Sequence, residues 1–452
     1  MVDGTWGSAA APRDVLGPVA GEPAFDAHHP PRRDLVDDCV HCGFCLTTCP
    51  TYVLWGEEMD SPRGRIYLMK QGLDGEPMSD ALVRHMDACL GCMACVTACP
   101  SGVRYDRLIE DTRAQVERRH ERPAGQRLLR EAIFALFPYP RRLRLVRGPL
   151  RAYQASGLQR LVARSGLLPR LAPTLATLES LAPRLRRVPR PPRRVPARGA
   201  RRAVVGVLTG CVQSAFFPDV NAATIRVLAA EGCDVVVPPQ GCCGALSVHN
   251  GREAEAQGFA RRLIDRFAAA GVEHVVVNAA GCGSTMKHYA RMFHADPAWQ
   301  ARAAAIASKV KDVSELCAEL EPRAPRHPLS LRVAYHDACH LSHGQGIRKQ
   351  PRAVLAAIPG IQLVDVPEPE QCCGSAGVYN LLEPASARAI GRRKADNIQS
   401  LNADVLVSAN PGCTLQIVSQ FAASGARIRT AHPIEVVDAS IRGVDLRGGG
   451  GS

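Results

Sequence analysis

The chain has 452 residues, of which 46% are hydrophobic, and carries a net charge of +13 at neutral pH. That length suits two to four domains of ~100–200 residues each, and no apolar run reaches the ~20 residues of a membrane-spanning helix. An apolar signal core is missing at the N-terminus, and Arg32-Arg33 is followed by Asp34, Asp37 and Asp38 instead of an apolar stretch, so the expected location is cytoplasmic.

The charge is local. Residues 121–202 hold twenty Arg, no Lys and three Glu (Glu121, Glu131, Glu179), a segment of +17 that leaves the rest at −4. Composition bias explains part of this, since the whole chain uses 50 Arg and 6 Lys. Eighteen cysteines in a long chain without a leader read as metal ligands rather than disulfides. Sixteen fall at motif positions; Cys233 and Cys317 are left as small buried hydrophobes.

Residues 1–30, rich in Ala, Gly and Pro, are expected as a loose tail. Residues 31–120 hold two four-cysteine runs, Cys39-x2-Cys42-x2-Cys45-x3-Cys49-Pro50 and Cys89-x2-Cys92-x2-Cys95-x3-Cys99-Pro100. Three thiolates spaced by two residues wrap one [4Fe–4S] cluster, and the fourth crosses to the other. Cys39, Cys42, Cys45 and Cys99 are therefore expected on one cluster, and Cys89, Cys92, Cys95 and Cys49 on the second. Zinc prefers two Cys-x2–4-Cys pairs. Helices are expected at Pro62–Gln71, Asp80–Leu90 and Tyr105–His120, which makes this a helix-rich ferredoxin-type domain.

Residues 121–200 alternate short apolar stretches with Arg and Pro, which predicts helices broken at each Pro and an extended linker near 188–199. This segment could dock on anionic lipid or an acidic partner subunit. No aromatic interleaving or motif for nucleic acid accompanies it.

From 201 the pattern becomes α/β. Strands are expected at Val204–Leu208, Asp234–Val237 and His274–Val277, each leading into cysteine: Cys211, Cys242-Cys243 and Cys282. The order then repeats, with Leu331–Tyr335, Leu363–Val366 and Asp404–Val407 leading to Cys339, Cys372-Cys373 and Cys413. The offsets are 128, 130 and 131 residues, so this half is an internal duplication, with domains expected at 201–325 and 326–445. Ligands bind where the strands of such sheets end. Four thiols per copy are candidate metal ligands, with zinc or buried structural thiols as the alternatives. Adjacent cysteines point in different directions, which suits a larger or irregular cluster. The terminal Gly448–Ser452 reads as a flexible linker remnant.

A duplicated Cys, Cys-Cys-Gly, Cys pattern behind a two-cluster ferredoxin resembles the cysteine-rich CCG-domain family, which includes heterodisulfide reductase subunits and the iron–sulfur subunits of flavin dehydrogenases. The closer likeness is to glycolate oxidase iron–sulfur subunits. It rests on Ser61-Pro62-Arg63-Gly64-Arg65-Ile66, Leu208-Thr209-Gly210-Cys211 and Cys242-Cys243-Gly244-Ala245-Leu246, and on His336-Asp337-Ala338-Cys339-His340-Leu341, Cys372-Cys373-Gly374-Ser375-Ala376-Gly377 and Asn410-Pro411-Gly412-Cys413. The resemblance implies an electron-transfer subunit that accepts electrons from a flavoprotein partner and passes them toward a membrane quinone, at the inner face of the membrane. No Gly-rich nucleotide loop is present, which fits a flavin held elsewhere. Lactate or glycerol-3-phosphate dehydrogenase subunits share the wiring. A thiol–disulfide reductase is the alternative, but each copy here ends in a single Cys where disulfide-reducing relatives carry Cys-x2-Cys. His336, His340 and His343 around Cys339 could tune a cluster, carry protons or be polar surface, and Arg63 and Arg65 could raise a cluster's potential or form surface salt bridges.

Overall fold

The computed structural model describes residues 22–185 and 188–446. The start of the expected tail, Arg186-Arg187 and the glycine-rich end lie outside the described residues.

The N-terminal part is helical, with Pro62–Leu73, Asp80–Ala88 and Tyr105–Arg119 as its main helices. Ser61 and Ser79 cap the first two by accepting from the N–H of Gly64 and Leu82, at 3.0 and 3.1 Å. Gly64 is required: a Cβ there would sit 2.0 Å from the Glu58 carbonyl oxygen. These helices bury Ile66, Met69, Met86 and Leu108 around Cys89 and Cys95. Residues 22–30 correct the loose-tail expectation. They run as a strap, with Ala24 fully buried and its N–H bonded to Glu76 at 2.9 Å, and with Gln115 holding Asp26.

Five helices follow, at Ala124–Leu136, Pro140–Ala155, Leu158–Ser165, Leu167–Leu171 and Pro173–Ser180. One break expected at a proline is absent, because Pro149 lies inside Pro140–Ala155. Gly148 precedes it and has no Cβ to clash with the ring, which relaxes the usual bar on helical backbone before proline.

The duplicated half forms two sheets. In the first, β1 (Arg194–Val195), β2 (Ala203–Leu208), β3 (Cys233–Val236), β4 (His274–Val277) and β5 (Val310–Asp312) lie in the order β1-β3-β2-β4-β5. In the second, β6 (Leu331–His336), β7 (Ile361–Asp365), β8 (Val405–Ser408) and β9 (Arg429–Ala431) lie in the order β7-β6-β8-β9. The two orders match strand for strand, and all pairs are parallel except the added β1, which the linker contributes antiparallel to β3. Strands β1, β5 and β9 are too short to show an apolar period and were not foreseen. A shared core joins the copies, and helices Pro218–Ala230 and Pro433–Arg442 pack together through the Arg226–Asp438 ion pair at 2.6 Å. Cys233 and Cys317 lie in that core.

Candidate metal centres

Both N-terminal runs fold the same way. The residue before the second cysteine and the residue after it are left-handed in each: His41 and Gly43 (φ 53° and 89°), then Gly91 and Met93 (φ 62° and 64°). Few non-glycine residues adopt this backbone. Repeated on either side of Cys42 and Cys92, it curls each loop around a point that its thiols face. The thiol of Cys39 feels those of Cys99 and Cys42, and Cys92 and Cys95 feel that of Cys49. Cys42 is exposed, whereas Cys49, Cys89, Cys92 and Cys95 are buried. Burial pushes the Cys92 and Cys95 thiols well above their ordinary range, so a cation must meet them before they ionise in place.

Arg63 and Arg65 have different fates. Arg63 clamps the first loop, pairing with Glu58 at 2.6 Å and donating to the His41 carbonyl at 2.9 Å. Arg65 is 1% exposed, not a surface charge. It donates to the carbonyls of His85 and Asp60 at 2.6 Å each, to Thr51 Oγ1 and Asp60 Oδ1 at 3.1 Å each, and lies 4.0 Å from Cys49 Sγ. Burial also opposes ionisation of Cys89, but Arg65 and Arg113 outweigh it and hold that thiol below its usual range. The Tyr105 hydroxyl at 3.6 Å and the Gly91 N–H at 3.3 Å both donate to Cys89 Sγ.

In the duplicated half the two thiols of each adjacent pair stay within reach of each other, and each also meets a different outer cysteine. Cys242 reaches Cys211 (Sγ–Sγ 3.6 Å), while Cys243 reaches Cys282. Cys372 likewise meets Cys339, and Cys373 meets Cys413. Each copy therefore gathers its four candidate thiols from three strand ends. The Gly244 N–H donates to Cys242 Sγ at 3.3 Å and Asn410 to Cys413 Sγ at 3.4 Å. Buried Lys394 sits beside Cys372 and Cys373 and donates to the Glu368 carbonyl at 2.6 Å. The expected histidines are not plain surface. His336 and His343 are buried, and burial lowers His336 and His340 to about 3.

The copies face each other across a cavity of about 540 Å³, lined by Cys211, Cys243 and Cys282 from one and Cys339, Cys373 and Cys413 from the other. Leu143, Leu150, Leu168, Leu175 and Leu178 of the linker helices close one side. The ferredoxin part docks on the second copy. Cys92 shares a core with Cys372, Cys373 and Cys413, Thr97 Oγ1 bonds His343 Nδ1 at 2.7 Å, and Gln371 donates to the Thr47 carbonyl at 3.0 Å. Convergence of thiols with N–H donors to sulfur suits iron–sulfur clusters, and the orphaned buried atoms around the second copy, among them Ser375 Oγ, Tyr379 OH and both nitrogens of His336, leave room for a bound group to meet them.

Comparison with known proteins follows the same divisions. Residues 35–103 match the 4Fe-4S dicluster domain, residues 125–182 match the glycolate oxidase iron-sulfur subunit linker region, and residues 205–287 and 333–418 both match the cysteine-rich domain. The glycolate oxidase iron-sulfur subunit of Escherichia coli (strain K12) is 36% identical over 414 residues, covering 89% of this chain and 93% of that one. A Bacillus subtilis (strain 168) protein described as "Probable glycolate oxidase iron-sulfur subunit" is 37% identical over 411 residues, 87% and 91% of the two chains. This chain belongs to the glycolate oxidase iron–sulfur subunit family. Within that wider kinship, Lactate utilization protein A of Geobacillus kaustophilus is 31% identical over 238 residues, 52% of this chain and 98% of that one.

For this family member, sequence reasoning missed Lys394, the shared cavity and the burial of Arg65. Only the Lys394 position offered a signal, one of six Lys in an Arg-rich chain.

Proposed function

We propose that this chain is the electron-transfer subunit of a flavin-dependent 2-hydroxy-acid dehydrogenase, with glycolate as the substrate oxidised on a partner, and that it delivers electrons toward a quinone. The ligands are Cys39, Cys42, Cys45 and Cys99 for one cluster and Cys89, Cys92, Cys95 and Cys49 for the other. In the duplicated half they are Cys211, Cys242, Cys243 and Cys282, then Cys339, Cys372, Cys373 and Cys413. Bound there, iron–sulfur clusters supply one-electron carriers.

The chain's own residues give this route a direction. Cys42 is exposed beside Val40 and Phe44, 68% and 66% exposed, an apolar patch suited to a flavoprotein partner. Cys92 is buried in the same core as Cys372, Cys373 and Cys413, and this shared core is the observation that carries the proposal, because it joins the ferredoxin part to the duplicated half. The leucine-lined cavity beyond could seat an apolar electron acceptor such as a quinone. Arg-rich helices with Leu161 and Leu171 exposed fit docking at a membrane surface. Among the described residues no helix is long and apolar enough to cross a membrane.

The test is anaerobic co-purification with the flavoprotein partner. Glycolate should reduce the iron–sulfur signals of the complex, with about eight irons or more per chain. Cys92→Ser should block reduction beyond the first cluster. An iron-poor chain that still supports quinone reduction by the complex would end the proposal.

A further inference from the structure

The two copies differ at one buried position that bears on metal binding. Leu208 ends β2 and pairs with Val277 of β4; at the matching place His336 ends β6 and pairs with Ser408 of β8. All four residues are at most 2% exposed. An apolar pair in the first copy has thus become a polar pair in the second. Neither nitrogen of His336 nor Ser408 Oγ has a hydrogen-bond partner among the described residues. Leaving such groups unmet in a protein interior is costly, because each has given up its water without gaining a partner. A ring nitrogen of His336, Cys373 Sγ and Cys413 Sγ all lie within 4.8 Å of one another.

We infer that His336 is a fifth ligand, through a ring nitrogen, to the metal centre of the second copy. This rests on the reading that Cys339, Cys372, Cys373 and Cys413 hold an iron–sulfur cluster. The second copy then binds through four thiolates and one imidazole, and the first, with Leu208, through four thiolates alone. The arrangement supplies a donor where each copy has only a single terminal Cys. A neutral nitrogen brings no negative charge, so the centre sits at a higher potential than a fifth thiolate would set. Cys92 shares a core with this copy, so the imidazole-bearing site lies next to the ferredoxin part.

The experiment uses the full-length chain, purified without oxygen and partly reduced, grown with ordinary or with ¹⁵N-labelled histidine. Pulsed spin-resonance should show a directly coordinated nitrogen coupling that changes with the label. His336→Leu, which copies the first repeat, should abolish that coupling, leave total iron within about one cluster of the parent, and shift the midpoint potential of one signal. His336→Gln gives a second variant if the leucine form folds poorly, and the label needs no variant. A label-insensitive spectrum, with iron present in the second copy, overturns the ligand and leaves an ordered water as the partner of His336. Iron of only about eight atoms per chain, unchanged by Cys413→Ser, overturns both the ligand and the underlying reading that the second copy holds a cluster.

Discussion

Arg65 makes its contacts inside the ferredoxin part with almost no water present, and its carboxylate partner Asp60 also accepts from His85 at 2.9 Å. Removing one member of such a buried pair leaves the other charge unmet and costs about 3–5 kcal/mol. Arg65→Met should therefore lower the urea midpoint of the loaded chain strongly and shift one N-terminal signal to lower potential, since a positive charge near Cys49 and Cys89 is lost. Arg65→Lys keeps the charge but not the planar fork, and should recover most of the potential and only part of the stability. An equal loss of potential in both variants would mean that packing, not charge, sets the effect. Cys42 and Cys92 are alike in sequence context, but one is exposed and the other buried, so their contributions to electron acceptance and transfer were not legible from spacing.

At the scale of elements, the linker helices carry the segment's charge and its exposed leucines together. Leu145 and Leu171 are 77% and 79% exposed. Arg160 and Arg170 are exposed near Leu161 and Leu171. Each basic residue at an anionic surface is worth about 1 kcal/mol, so Arg160→Gln with Arg170→Gln should weaken binding to phosphatidylglycerol vesicles roughly thirtyfold. The effect should shrink as salt rises. Flotation with neutral vesicles is the control; equal binding to both would refute an electrostatic dock. Proline predicts breaks in this segment, and most prolines do begin or follow helices, but Pro149 shows that a preceding glycine in an exposed helix can absorb one.

Over the whole molecule, the ferredoxin part is clamped to both copies. Arg113 donates to the His249 carbonyl at 2.9 Å and to Met86 and Cys89, while Arg291 bridges to Asp111 at 2.6 Å and Glu110 at 3.0 Å. Gly251 permits this contact. Its φ is +79°, and a Cβ there would lie 2.2 Å from the Arg113 carbonyl oxygen. Gly251→Ala should keep the iron content and the spectra, yet slow electron transfer from the N-terminal half to the duplicated half, as seen in stopped-flow reduction. Stripping iron with a chelator should act unevenly. Residues 33–119 build a small core around cysteines and should lose helix, because metal binding there is coupled to folding. The duplicated sheets have extensive apolar cores of their own and should keep their structure, as limited proteolysis would report.

The amino-acid sequence by itself determined the ligand spacing, the two N-terminal runs, the duplication and the central strands of each copy. Those features are local: a loop that wraps a cluster and a buried strand both follow from residues a few positions apart. How the thiol groups sit against one another and against the rest of the chain depended on the tertiary structure. Only the folded chain buries Arg65, sets Cys92 against Cys372, opens the leucine-lined cavity between the copies, and leaves His336 without a hydrogen-bond partner among the described residues, beside Cys373 and Cys413. Each of these needs residues tens to hundreds of positions apart to meet, and their meeting depends on how the helices and sheets pack, which no local spacing encodes.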